Sequence, residues 1–116
     1  FMSIKILRRP IKELIAECGL LYYPLWLKTD RPMISSDIHW ALKTNFYLAP
    51  NDTRDPNLYM SAQSHAARVA WLIKFVDLAK VTITITDKKI VDGNHRMAAC
   101  IYSEMDCINC VRLGSV

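Results

Sequence analysis

Asp92-Gly93-Asn94-His95-Arg96 sets a carboxylate, a glycine, an amide, an imidazole and a guanidinium side by side. This combination suits phosphate chemistry. Arg96 offers a planar fork matched to phosphate oxygens, and His95 offers a donor or a titratable base. Gly93 lets the main chain approach a ligand closely, and Asn94 completes the turn. Asp92 can hold a metal ion through oxygen, polarise a hydroxyl or cap a helix.

The flanking residues must position this set. Val81, Ile83 and Ile85 alternate with Thr82, Thr84 and Thr86, the period of a half-buried β-strand. Asp87-Lys88 is a polar break, and Lys89-Ile90-Val91 reads as a second short strand. Beyond Asn94, Met97, Cys100, Ile101 and Met105 recur at helical spacing, so the chain is expected to turn from strand into helix at Asp92-Gly93. The first N–H groups of a helix lack internal partners and sit at the positive end of its dipole, so a phosphate fits there. The same residues also satisfy an ordinary capped helix start after an Asp-Gly turn.

The run from Ile90 to Ala99, IVDGNHRMAA, resembles the strand, Gly-x-His-Arg turn and helix of the ParB/sulfiredoxin-like superfamily, in its DGNHR form. Small plasmid or phage members, such as transfer inhibitors of the Osa type, are similar. The resemblance covers about the last third of the chain, from Val81 onward. It implies an α/β (α+β) fold: one small domain over residues 1–116, a mixed β-sheet flanked by helices. It also implies a nucleotide bound at the turn, ATP or CTP with Mg2+, by Gly93, Asn94, His95 and Arg96. His95 and Asp92 would be catalytic, and Asp92 would be the metal ligand. Hydrolase, phosphotransferase and nuclease activities all occur in the superfamily.

Two departures narrow the expectation. Sulfiredoxins need a cysteine where this chain has Asn94, so sulfinic acid reduction is not expected. Partition proteins carry a Gly-Glu-Arg-Arg motif followed by a helix-turn-helix and a dimerising tail, and this chain ends at Val116. A complete partition protein of that kind is therefore not expected. No glutamate stands in a recognisable catalytic context, which keeps a second reading open: a non-enzymatic DNA- or protein-binding module of a plasmid, phage or other mobile element.

Secondary candidates lie upstream. Ser64 to Leu72 echoes a His-x-x-Arg helix of short single-domain relatives, which brings in His65 and Arg68 at i,i+3. A histidine beside an apolar stripe is also a common structural residue. Pro50 to Asn57 is a polar loop in which Arg54 can reach a phosphate, or which simply connects.

The four cysteines point elsewhere. Cys107-Ile108-Asn109-Cys110 is a lone Cys-x-x-Cys, with Cys18 and Cys100 too remote in sequence to complete a zinc site. On a strand, residues three apart face opposite ways, so Cys107 and Cys110 are read as reduced small hydrophobes.

Among earlier elements, residues 3–7 read as a strand, and Pro10 suits the first turn of a helix buried through Ile11, Leu14, Ile15 and Cys18, with Gly19 as its stop. Leu20 to Leu27 is an edge strand or a packed extended segment broken at Pro24. Ser35 or Ser36 can cap a helix carrying Ile38, Ala41 and Leu42. The strongest helix spans about Ser61 to Val76, with a buried stripe of Ala62, Ala66, Val69, Ile73 and Val76 and with Trp71 and Phe75 beside Arg68.

Composition bounds the rest. With 116 residues and 52% hydrophobic content, the chain suits one domain with a real core. Fifteen Lys and Arg against eleven Asp and Glu permit contact with nucleic acid without demanding it, because the charges are scattered. Phe1 ahead of Met2 reads as an added residue. No apolar run approaches membrane-spanning length, so a cytoplasmic protein is expected, with no membrane partner and an open oligomeric state.

Overall fold

In a computed structural model of the chain, residues 5–50 and 59–114 are described. The elements run β1 (Ile6–Pro10), α1 (Ile11–Glu17), α2 (Ser35–Thr44), α3 (Ala62–Phe75), a 3-10 turn (Leu78–Lys80), β2 (Thr82–Thr86), β3 (Lys89–Asp92), α4 (Asn94–Tyr102) and β4 (Cys107–Arg112). The strands form one mixed sheet in the order β1-β4-β2-β3. Strand β4 pairs antiparallel with β1 and parallel with β2, and β2 pairs antiparallel with β3. This is the expected α+β architecture.

The threonine alternation is the reason for the sheet's two faces. Ile83 and Ile85 of β2 are fully buried, as is Ile108 of β4, with Cys110 nearly so, while Thr82, Thr84 and Thr86 are half-buried. Ile11 and Leu14 of α1, Met97 and Cys100 of α4 and Val69 of α3 join the same core. Burial of this one face supplies most of the driving force that holds the motif turn in place.

Several expectations need correction in detail. Strand β1 extends through Pro10, so Pro10 ends the strand and caps α1 from one position before its first turn. Helix α2 begins at Ser35 with Ile34 as its cap, and the Asp37 carboxylate accepts the Ile34 N–H at 2.9 Å in place of a serine cap. Leu20 to Leu27 forms no strand. It is a packed irregular segment with Tyr23 and Pro24 buried, Trp26 half-buried, and Leu21 and Leu27 exposed.

Helix α3 starts one residue later and ends one earlier than expected, with Ser61 accepting the Ser64 N–H at the start. Its buried stripe is also rotated. His65 and Leu72 are buried, while Ile73 and Val76 are only half-buried. The helix is packed by α2 and α4 together, and that sandwich selects the His65 side. The loop from Pro50 to Asn57, Arg54 included, lies outside the described residues apart from Pro50.

Candidate functional site

The strand-to-helix turn forms as expected. Strand β3 ends at Asp92, Gly93 takes a left-handed φ of 100°, and α4 begins at Asn94. A β-carbon at Gly93 would stand 2.8 Å from Ile83 Cγ2, so glycine is required by packing against β2 as well as by its backbone angle. The N-cap position of α4 is Gly93 itself, which has no side chain to offer the helix start.

Beyond the turn, His95 and Arg96 diverge. Consecutive helical residues are separated by about 100° of rotation. Arg96 reaches back to the sheet, donating to the Thr82 carbonyl at 2.8 Å and standing 3.6 Å from the Asp92 carboxylate. His95 faces α3, where its Nε2 lies 2.9 Å from Nδ1 of His65. The primary motif and the secondary His65 candidate thus meet in one cluster, and Arg68 exerts its charge on both rings.

Trp26 covers this pair. Its ring is stacked on His65 with centroids 4.2 Å apart and on His95 at 4.7 Å, with the two imidazoles themselves 5.1 Å apart. Each such stack contributes about 0.5–1.5 kcal/mol beyond simple burial. Burial under the indole pushes His65 down to about 4, helped by the charge of Arg68 and opposed by that of Asp30. Burial pushes His95 down to about 3, with His65, Arg68 and Arg96 adding repulsion. Both rings are therefore neutral at pH 7, and one donates to the other. Burial also lowers the pKa of Arg68, whose guanidinium remains charged.

The cluster is polar but incompletely satisfied. His65 Nε2 and Arg68 Nε are buried without a hydrogen-bond partner among the described residues. Leaving such a group unpaired costs about 1–3 kcal/mol. An arginine Nε can only donate, so the missing partner is an acceptor, and beside a guanidinium it is best an anionic one.

A cavity of about 270 Å³ adjoins the first turn of α4, lined by Gly19, Leu20, Tyr23, Lys88, Lys89 and Asn94 among others. Its lysines belong to the β2–β3 hairpin, whose two-residue turn holds Asp87 and Lys88 at φ of 45° and 64°. Asn94, expected in the phosphate turn, lines this apolar, lysine-edged recess.

Two residues escaped sequence reasoning. Trp26 carried no signal beyond being aromatic, because nothing in its local pattern says which side chains it will cover. Asp30 accepts the Ala62 N–H at 2.8 Å, which places its carboxylate at the start of α3 and brings its field to His65. Asp30 stands 32 residues before Ala62 in sequence, so no local pattern links it to the start of α3.

No group of three or more His, Cys, Asp or Glu among the described residues is arranged to hold a metal ion. Cys107 is half-buried and Cys110 is buried on the opposite face of β4, and all four cysteines are free. Among the described residues no helix is long and apolar enough to cross a membrane. Comparisons with protein-family models, with curated proteins and with solved structures returned no match to this chain.

Proposed function

We propose that this chain is a ParB/sulfiredoxin-like domain that binds a phosphate-bearing ligand, a nucleotide such as ATP or CTP, beside the first turn of α4. His65, Arg68 and His95 hold a phosphate. The supporting observation is the pair of buried nitrogens, His65 Nε2 and Arg68 Nε, that have no hydrogen-bond partner among the described residues and lie beside a histidine of the motif turn. The cavity edged by Lys88, Lys89 and Asn94, the last adjacent to His95 in sequence, offers a surface for a base or ribose. Magnesium arriving with the nucleotide would be held mainly by phosphate oxygens.

Within this reading, Arg68 and the α4 N–H groups stabilise phosphate charge. In the enzymatic version His95 positions or deprotonates an attacking hydroxyl or water, and hydrolysis, phosphoryl transfer or a nuclease reaction follows from which nucleophile enters. Both imidazoles are weak bases while the site is free of ligand. That observation favours binding without turnover as the second reading: a DNA- or protein-binding module of a mobile element that keeps the cradle as a switch.

The test is calorimetric binding of ATP, CTP and pyrophosphate, with and without magnesium, to wild type, His95→Ala and Arg68→Ala. Binding lost in both variants supports the reading, and no affinity of the wild type for any of these ligands sinks it. Phosphate release or DNA nicking that depends on His95 selects the enzyme, and their absence with nucleotide bound selects the module. Salt-dependent retention on DNA adds a nucleic-acid role.

A further inference from the structure

We propose that the His65–His95 pair is a proton acceptor coupled to the anion site, so that the anion and one proton bind together. The inference rests on the phosphate-binding reading of this cluster and names its regulation. Its basis is geometric. Two imidazoles share one hydrogen bond of 2.9 Å, Trp26 closes over both, and the outward nitrogen of the buried ring, His65 Nε2, has no acceptor among the described residues.

With both rings neutral, their shared bond takes one of two forms. If His65 donates through Nδ1, its Nε2 is a lone pair that repels an anion. If His95 donates, His65 carries its hydrogen on Nε2 and can donate to an anion. A proton taken from solvent removes the conflict. The His65 imidazolium then donates through Nδ1 to His95 and through Nε2 to the anion, while Arg68 Nε donates to the same anion. No covalent bond changes.

The charged groups that act on the pair make the coupling strong. Arg68 from α3 and Arg96 from α4 oppose protonation, and the Asp30 carboxylate, held at the start of α3, favours it at His65. In the free site burial, reinforced by the cations, keeps the proton off. An anion between Arg68 and His65 offsets the guanidinium charge and reverses that balance. Thermodynamic linkage then requires that protons strengthen anion binding by the same factor that the anion strengthens proton binding.

Sulfate is the clean probe, because it does not titrate near neutral pH and any proton taken up must land on the protein. Calorimetry in buffers of different ionisation enthalpy should show uptake of up to about one proton per sulfate, with affinity rising by up to about ten-fold per unit as pH falls below 7. Histidine-selective NMR of the wild type gives a second readout that needs no variant: sulfate should raise the pKa of His65 and His95. His65→Gln, or His95→Gln if the first unfolds, should abolish the uptake.

Sulfate that binds with an affinity flat in pH and no change in either histidine overturns the coupling while leaving the phosphate site standing. Absence of sulfate, phosphate and pyrophosphate binding at every pH overturns both.

Discussion

His95 and Arg96 are neighbours in sequence and opposites in condition. Arg96 is satisfied by the protein itself, through the Thr82 carbonyl at 2.8 Å and the Asp92 carboxylate at 3.6 Å. His95 belongs to a cluster in which His65 and Arg68 each leave a buried nitrogen without a partner among the described residues. One side of the turn is a bracket that ties α4 to the sheet, and the other has polar capacity to spare. A motif read as a single phosphate cradle is therefore divided by the helical rotation between two adjacent residues. On the proposed reading, unmet hydrogen bonding, rather than motif membership, marks the ligand's side.

Gly93 serves both sides, so its substitution should have the largest effect. Gly93→Ala forces a β-carbon against Ile83 at a left-handed backbone angle and should destabilise the fold by about 3 kcal/mol, measured by denaturant unfolding. Unchanged stability would mean that the glycine serves only ligand approach.

Trp26→Ala acts on the His95 side alone. Removing a half-buried indole should cost about 2 kcal/mol and admit water to both imidazoles, raising their pKa values toward the ordinary 6.5. Histidine NMR titration reads this directly, and values left near 4 and 3 would show that Arg68 and not the indole controls them.

A smaller effect separates the sides by pH. Folding lowers both histidine pKa values, so the unfolded chain takes up protons first as pH falls below 6.5. Stability should hold above 6.5, decline as pH falls from there toward about 4, and decline less in saturating sulfate. The carboxylates with lowered pKa values, Glu17, Asp30 and Asp37, withdraw their contributions as pH falls through the ordinary carboxylate range and below it. A stability profile flat through this window would show that the rings titrate alike in both states.

The elements were legible in the sequence wherever a single face decides the pattern. The Thr/Ile alternation of β2 and the 3-4 spacing of α4 each report burial on one side, and the turn at Asp92-Gly93 follows from where those periods change. Helix α3 shows the limit. Packed by α2 and α4 at once, it buries His65 and Leu72, and its alanines fit any stripe, so periodicity misplaced the burial onto Ile73 and Val76. His65, Arg68 and His95 were each legible as candidates. Their meeting was not, because α3 and α4 are brought together by tertiary packing across a separation of thirty residues between the two histidines. The role of Trp26 was illegible for the same reason.

The central claim is that the ligand belongs to the Arg68 side and not to the Arg96 side. Arg68→Ala and Arg96→Ala, compared for pyrophosphate affinity by calorimetry and for stability by denaturant unfolding, test it most directly. Arg68→Ala should lose binding by ten-fold or more, or about 1.4 kcal/mol, with little loss of stability because it removes an unsatisfied buried donor. Arg96→Ala should lose about 1–2 kcal/mol of stability through its bond to Thr82 and keep its affinity within about two-fold. The reverse pattern, with affinity following Arg96 and stability following Arg68, would contradict the account.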